Sequence, residues 1–373
     1  MIPLFKPSFS RLEEQAVIKT LRSGWIGSGP QTKAFEEKMA QLTNTKHAIA
    51  TNSATAALHL SLLVSIKPGD EVISPSLTFV AANQAILHAG GKIVFADVNP
   101  RTLSANPKDI LGKITYKTKA ILVMHYGGHP VDLKPLIKVC RKKNIILIED
   151  CAHAAGSYYH NQHVGGFGNF GCFSFAAIKN ITTGDGGMVV TNSKKQADQI
   201  RQLAWSGISS STWSRYQRKA KKSYKWEYDV NQLGFKYQMN DIAASIGLVQ
   251  LKKLASSNNQ RKQITKRYNQ AFKNIVWLQI PQIDPWVKSS HHNYFIKVNK
   301  NIRNKLIDHL NQAGISANVH YLPNHKYKIF KEFPANLPIT NKAWQQIVLL
   351  PIYPDLTKSD QNKIIKTVKS FKP

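Results

Sequence analysis

Apolar and polar positions along the chain change period several times, and each change predicts an element. Ser10 followed by Glu13 is a capping-box signature, so a helix is expected from Arg11 to about Arg22. It stops at SGWIGSGP, Ser23 to Pro30, a glycine-rich loop. No Gly-Lys-Ser/Thr follows, so this is a tight turn and not a phosphate-cradling Walker loop. QTKAFEEKMAQLT reads as a second helix, and a third begins near Ala54. Short β-rich runs come next: DEVISPS, GKIVFADV, KAILVMHY, NIILIED, GCFSFAA and GMVVTNS. Most are separated by stretches of helical character such as KPLIKVCRKK. That alternation predicts an α/β fold, a mostly parallel sheet covered by helices on both faces.

Near Met239 the pattern shifts. Met239, Ile242, Ile246 and Val249 share one face of a helix through QMNDIAASIGLVQLKKL, and a charged helix, NQRKQITKRYNQAF, follows. After Val276 the units shorten: a strand at NYFIKVN, a helix near RNKLIDHLNQAG, a strand at ISANVHY, and a closing helix at KSDQNKIIKTVKSF. Two domains are expected, residues 1–250 and a smaller α/β unit at 251–373.

Composition narrows the class. The 373 residues suffice for a large core, and 19% charged against 42% hydrophobic residues describes a globular chain. Cys140, Cys151 and Cys172 are too few and too scattered for a disulfide framework or a zinc site, so no metal is expected and a reducing cytoplasm fits. No apolar run approaches the ~20 residues of a membrane helix, and the start lacks a signal-peptide core. The odd feature is a net charge of +30. Such a field favours polyanions: nucleic acid, an acidic membrane surface or nucleotides. The basic residues are dispersed and no nucleic-acid-binding motif accompanies them, so a lysine-rich solvated surface is the simpler reading. The densest cluster, WSRYQRKAKKSYKW from Trp213 to Trp226, mixes aromatics with Arg215, Arg218, Lys219, Lys221 and Lys222.

The candidate chemistry centres on FSFAAIKNITTGDGGMVV, where Lys179 stands between an apolar run and a glycine turn. A lysine drawn out of water loses charge and becomes a nucleophile. NIILIED ends on Asp150, and in open parallel sheets ligands sit at the carboxyl ends of strands. A partly buried carboxylate needs a positive partner, and a pyridinium nitrogen would serve. His153, three residues on, could stack on such a ring or donate to its hydroxyl. In TNSATAALHL, a helix N-terminus with the Thr55 hydroxyl offers an anion seat, to which Ser174 could add a second hydroxyl. Phe79, just past a strand end, could cover the ring's other face. Amine, ring-nitrogen acid, stacking group and phosphate seat together are the contacts pyridoxal phosphate requires.

With those residues in place, the chain resembles the DegT/DnrJ/EryC1/StrS family of sugar aminotransferases. The likeness runs through SGWIGSGP, NSATAALHL, PSLTFVAANQAI, HYGGHPVDL, IEDCAHAAGS, GCFSFAAIKNITTGDGGMVVTN, LGFKYQMNDIAASIGLVQLKKL and VHYLP. The resemblance implies an aspartate-aminotransferase-like fold, fold type I, binding pyridoxal 5′-phosphate. It implies that Lys179 is the Schiff-base lysine, Asp150 the partner of the pyridine nitrogen, His153 the group beside the ring and Phe79 the stacking aromatic. Ala54, Thr55 and Ser174 match phosphate contacts. Lysine, where some members carry histidine, implies transamination and not dehydration.

Two departures stand out. Lys236 and Gln238 replace an Asn and an Arg that reach the partner subunit's cofactor phosphate, and Trp205-Ser206-Gly207 lacks a His common before the glycine. Lys236 keeps a positive charge, and with AIKNIT it is similar to the branch that makes 4-amino-4-deoxy-L-arabinose. The implied reaction moves an amino group from L-glutamate to a keto group, C4 by this branch and C3 as the alternative, of a nucleotide-diphosphate sugar. A homodimer with shared active sites is implied, with Arg215 and Arg218 reaching the diphosphate. Trp25 and Ser28 of the glycine loop, and His320, Tyr321 and His325 of VHYLPNH, are candidates to face the sugar. Two rivals stay open: a fold-type-I enzyme acting on free amino acids, for which no carboxylate-binding arginine is located, and a basic nucleic-acid-binding regulator.

Overall fold

Seven short apolar strands form the central sheet of a computed structural model that describes residues 1–209 and 226–373. In chain order they are β1 (His47–Thr51), β2 (Glu71–Pro75), β3 (Lys92–Ala96), β4 (Thr118–Met124), β5 (Ile146–Asp150), β8 (Phe170–Ser174) and β9 (Gly187–Thr191). Between β5 and β8 lies a two-residue-strand hairpin, β6 (Tyr158–Tyr159) and β7 (Gln162–His163). The sheet order is β1-β9-β8-β5-β4-β2-β3. Strands β8, β5, β4, β2 and β3 are parallel; β9 is antiparallel to both neighbours and is the one reversed strand. The carboxyl ends of β1, β2, β4, β5 and β8 therefore share one edge, and β9 begins there.

Side chains alternate across the strands, and the two faces fill different cores. Leu147, Ile121, Val123 and Phe173 join Phe35 and Met39 on one side. Ile148, Ala120, Leu122 and Cys172 join Leu58, Leu60 and Ile86 on the other. Both faces are dry, as buried parallel sheets require.

The two helices expected after Met239 are one, Asp241–Phe272, 32 residues long. The polar run Ser256-Ser257-Asn258-Asn259 resembles a break, yet it holds neither Gly nor Pro, so nothing stops the helix. This helix passes through position 250 without interruption. Beyond it, β10 (Leu278–Gln279), β12 (Tyr294–Val298) and β13 (Ile347–Leu350) make an antiparallel sheet. Tyr268, Phe272, Tyr294, Leu306, Leu310 and Ile364 form its core, with Ile2 among them. Strand β11 (Val287–Lys288) pairs with β6. Among the described residues the segment ISANVHY carries no ladder, only single bridges from Ile315 to Ile2 and from Asn318 to Leu349. No helix among the described residues is long and apolar enough to cross a membrane.

Candidate active site

The shared strand edge collects the chemistry. Strand β5 ends on Asp150, β8 on Ser174, and the chain after β8 turns through Lys179 and the glycines to re-enter the sheet as β9. Asp150 is nearly fully buried; one oxygen accepts the Ala152 N–H at 3.0 Å, and no other hydrogen bond reaches the carboxylate from the described residues. Burial pushes its pKa up, against the pull of that N–H and of the Lys179 and His125 charges. Lys179, held by its own N–H to the Ala176 carbonyl at 2.9 Å, has its amine lowered to about 8 by burial, with the Asp150 charge opposing. The amine therefore stays mostly protonated near physiological pH but keeps a far larger neutral minority than a solvated lysine.

His153 is buried beside them. Its Nδ1 accepts the Gly127 N–H at 3.3 Å, so its proton lies on Nε2, which donates to the Tyr321 hydroxyl at 3.0 Å. Burial, then the Lys179 charge, keeps this ring neutral. Tyr321 stacks on His320 at 4.6 Å and lies 5.9 Å from the Phe79 ring, which is 56% exposed and free to cover a flat ligand. The structure brings Lys179, Asp150, His153, Tyr321 and His320 within each other's electrostatic reach.

An anion seat lies at the end of β1. Ser53 caps the helix Ala54–Leu63 by accepting the Ala56 N–H at 3.1 Å. The N–H groups of Ala54 and Thr55 make no hydrogen bond with the described residues, and Thr55 is exposed. Residues 236–238 run alongside: the Asn52 N–H donates to the Tyr237 carbonyl at 2.7 Å, and Thr51 bridges Gln238. Lys236 is exposed, its amine 3.3 Å from the centre of the Trp205 ring. Trp205, which precedes the Ser206 that departs from the family pattern, is thus a cation–π platform for the lysine.

Other sequence-predicted residues have different surroundings. Trp25 donates its indole N–H to the Ser28 carbonyl at 3.3 Å, and the loop carrying both is held by Asp241. His325 uses both ring nitrogens, toward Ser76 Oγ at 2.8 Å and Asn341 Oδ1 at 3.2 Å, so it ties the loop after β2 to the C-terminal part of the chain. Arg215 and Arg218 lie outside the described residues. Tyr126, whose hydroxyl donates to the His320 carbonyl, was not foreseen. His292 and Asn180 were not foreseen either, although Asn180 adjoins the lysine.

Comparison with known proteins decides the family. The model of the DegT/DnrJ/EryC1/StrS aminotransferase family matches residues 7–369. The chain belongs to that family. As a DegT/DnrJ/EryC1/StrS member it is a sugar aminotransferase that uses pyridoxal phosphate. It is 35% identical to the spore coat polysaccharide biosynthesis protein SpsC of Bacillus subtilis over 99% of this chain and 97% of that one. Among solved structures it is similar to Helicobacter pylori PseC, an aminotransferase involved in the biosynthesis of pseudoaminic acid. That likeness has a TM-score of 0.91 at 29% identity and covers 99% of this chain and 100% of PseC. It is also similar to Spr1654 of Streptococcus pneumoniae in its PLP form, at TM-score 0.91 and 32% identity over 99% and 98% of the chains.

The residues present fit the cofactor. The carboxylate oxygen without a partner, the two unbonded helix N–H groups and the exposed Phe79 ring offer what a pyridinium, a phosphate and an aromatic face need.

Proposed function

We propose that this aminotransferase moves the amino group of L-glutamate to the C4 keto carbon of a nucleotide-diphosphate-linked deoxy sugar, in the cytoplasm, for a surface polysaccharide or lipopolysaccharide. The observation that carries the chemistry is the Lys179 amine, poised near neutral pH beside a nearly buried Asp150 at the carboxyl edge of the sheet. The names of SpsC and PseC support a role in polysaccharide or glycan assembly, and Lys236 together with AIKNIT supports C4.

Pyridoxal phosphate, when bound, supplies a protonated ring that accepts the electron pair released at the donor's α-carbon. Asp150 holds the ring-nitrogen proton, and its burial makes that pairing strong. Ala54 and Thr55 N–H, the Thr55 and Ser174 hydroxyls and the Lys236 amine of a partner subunit hold the phosphate, so the unit of function is a homodimer. Phe79 and His153 bracket the ring. Lys179 is the covalent anchor; once displaced by glutamate, its neutral Nζ takes the α-carbon proton and later returns one to the sugar carbon. Trp25, Ser28, His320 and Tyr321 orient the sugar, His325 fixes the loop that carries Tyr321, and Arg215 and Arg218 take the diphosphate.

The test is mass spectrometry of products from UDP-, dTDP- and GDP-linked 3-keto and 4-keto sugars with glutamate. A 4-amino product is expected; turnover of 3-keto sugars alone overturns the C4 reading, and turnover of free keto acids alone overturns the sugar.

A further inference from the structure

Five side-chain rings close a circuit at the site. His153 lies 4.1 Å from His292, His292 stacks on Phe5 at 5.5 Å, and Phe5 stacks on His320 at 5.5 Å. His320 stacks on Tyr321 at 4.6 Å, and Tyr321 returns to His153 at 6.1 Å, its hydroxyl on Nε2. All five separations are those of interacting aromatic pairs. Four of the rings carry a polar atom. Phe5 does not; it is a half-buried phenyl from the run IPLFKPS ahead of the first helix.

That run is stitched to the smaller C-terminal unit. The Ile2 N–H donates to the Gly314 carbonyl at 2.7 Å, and the Ile2 carbonyl accepts the Ser316 N–H at 2.9 Å. The Leu4 carbonyl accepts the Ile352 N–H at 3.2 Å, and Leu4 joins Tyr126, Phe295 and Leu349 in one core. Phe5 is thereby delivered to one place, where two imidazoles share its ring.

Those imidazoles need to stay dry. The Lys179 charge acts on His153, His292 and His320; Arg261 also acts on His292, and the histidines act on one another. Among the described residues no carboxylate offsets this, since Asp150 acts on Lys179 and Tyr321 instead. A proton on any of the three rings would add an uncompensated positive charge beside the lysine. Burial is the largest cause that keeps them neutral, and it holds His320 at about 4. His153 and His292 are almost wholly enclosed, whereas His320 is half-buried, so its cover is the easiest to lose.

We infer that Phe5 is a positioning residue of the active site, its phenyl the shared wall that keeps water from His292 and His320 and holds Tyr321 against His153. For its effect on the reaction, this rests on Lys179 being the cofactor lysine. A phenyl suits the task because it covers area without offering a proton or a hydrogen bond.

The test is a titration of carbon-13-labelled histidines in the holoenzyme between about pH 8 and pH 5, with His292→Gln and His320→Gln assigning the signals. In the wild type both rings should stay neutral; a His320 midpoint near the ~6.5 of a solvated imidazole overturns the inference. In Phe5→Ala that midpoint should rise by about one unit or more. Phe5→Leu keeps an apolar cover and should stay within about half a unit of wild type. The acid limb of the pH profile for the glutamate half-reaction should move with the midpoint. An unmoved midpoint in Phe5→Ala overturns the wall, and a moved midpoint with an unmoved profile overturns the positioning role. Should Phe5→Ala not fold, Phe5→Val replaces it, and a midpoint equal to that of the Leu variant overturns the wall. Borohydride trapping with peptide mapping separates the two readings. An adduct on another lysine overturns the cofactor reading and the effect on the reaction, while the titration still judges the wall.

Discussion

Glu149 and Asp150 leave the same strand on opposite faces, and the two regions they enter use a carboxylate differently. Glu149 is fully buried and saturated: it accepts N–H groups from Gly165, Phe167 and Gly168 at 2.7–2.9 Å and faces His125 Nε2 at 3.2 Å. His125 Nδ1 in turn accepts the Val131 N–H at 3.1 Å, which places the ring proton on the nitrogen facing Glu149. With Cys151 these two are close enough to hold a metal ion, but every Glu149 oxygen is already engaged, so the trio reads as a folding hub. Asp150 enters the site with one donor and a raised pKa. A saturated carboxylate organises the chain around it; an undersatisfied one waits for a ligand.

Exchanging each acid for its amide should break the comparison in opposite directions. Asp150→Asn should cost roughly 10²–10³-fold in kcat, because the ring charge loses its counter-ion. Its fold should not suffer. The folded-state pKa of Asp150 lies above its unfolded value, so its contribution to stability is complete below the unfolded value and is lost as pH rises through the folded one. The cofactor-free variant should therefore melt at or above the wild type at pH 7, with the difference vanishing in acid. Glu149→Gln should do the reverse, losing about 3 kcal/mol of folding stability in urea titration, because its amide end meets backbone N–H groups that can only donate. Loss of stability in the first variant, or an undisturbed fold in the second, would show that the two acids are misassigned.

The sequence shows the pair only as adjacent letters at the end of NIILIED. Strand alternation predicts opposite faces, but the donors that saturate Glu149 come from a turn 16 to 19 residues on, and local patterning does not reach that far. The same limit explains the rest. The strands of the central sheet and the Lys179 turn follow from short apolar runs and glycines, which are local signals, whereas the sheet order with its reversed β9 does not. The strand Ile347–Leu350 is four residues long and directly follows a helix, and the hairpin Tyr158–His163 is shorter still, so neither shows a period. ISANVHY has strand-like composition yet, among the described residues, finds no neighbour to pair with along its length. Asn180 and His292 are 112 residues apart, and no spacing rule joins them.

A smaller effect is expected at the glycine loop. Asp241 is fully buried and accepts the N–H groups of Gly29, Gln31 and Thr32 at 2.8–3.0 Å and the Thr32 hydroxyl at 2.7 Å, a second saturated acid. Gly29 is needed there because a Cβ would come within 2.1 Å of the Trp25 ring. Asp241→Asn should cost about 2 kcal/mol. Since the loop carries Trp25 and Ser28, KM for the sugar nucleotide should rise while KM for glutamate holds. An equal rise in both would detach this loop from the sugar.

The comparison sharpens at its smallest scale between two hydroxyls at the phosphate seat. Ser53 spends its oxygen on the Ala56 N–H and is structural, as Glu149 is; Thr55, two residues on, is exposed, as Asp150 keeps an oxygen open. Ser53→Ala should lower stability by about 1 kcal/mol through the lost cap. Thr55→Ala should leave the melting temperature of the cofactor-free protein unchanged and raise the dissociation constant of pyridoxal phosphate about fivefold, the worth of one hydrogen bond. Titrating cofactor into both variants by absorbance, beside melting curves of the same samples, separates the two roles. If Thr55→Ala melts early while binding the cofactor normally, the hydroxyl belongs to the helix, and the phosphate is held by the N–H groups without it.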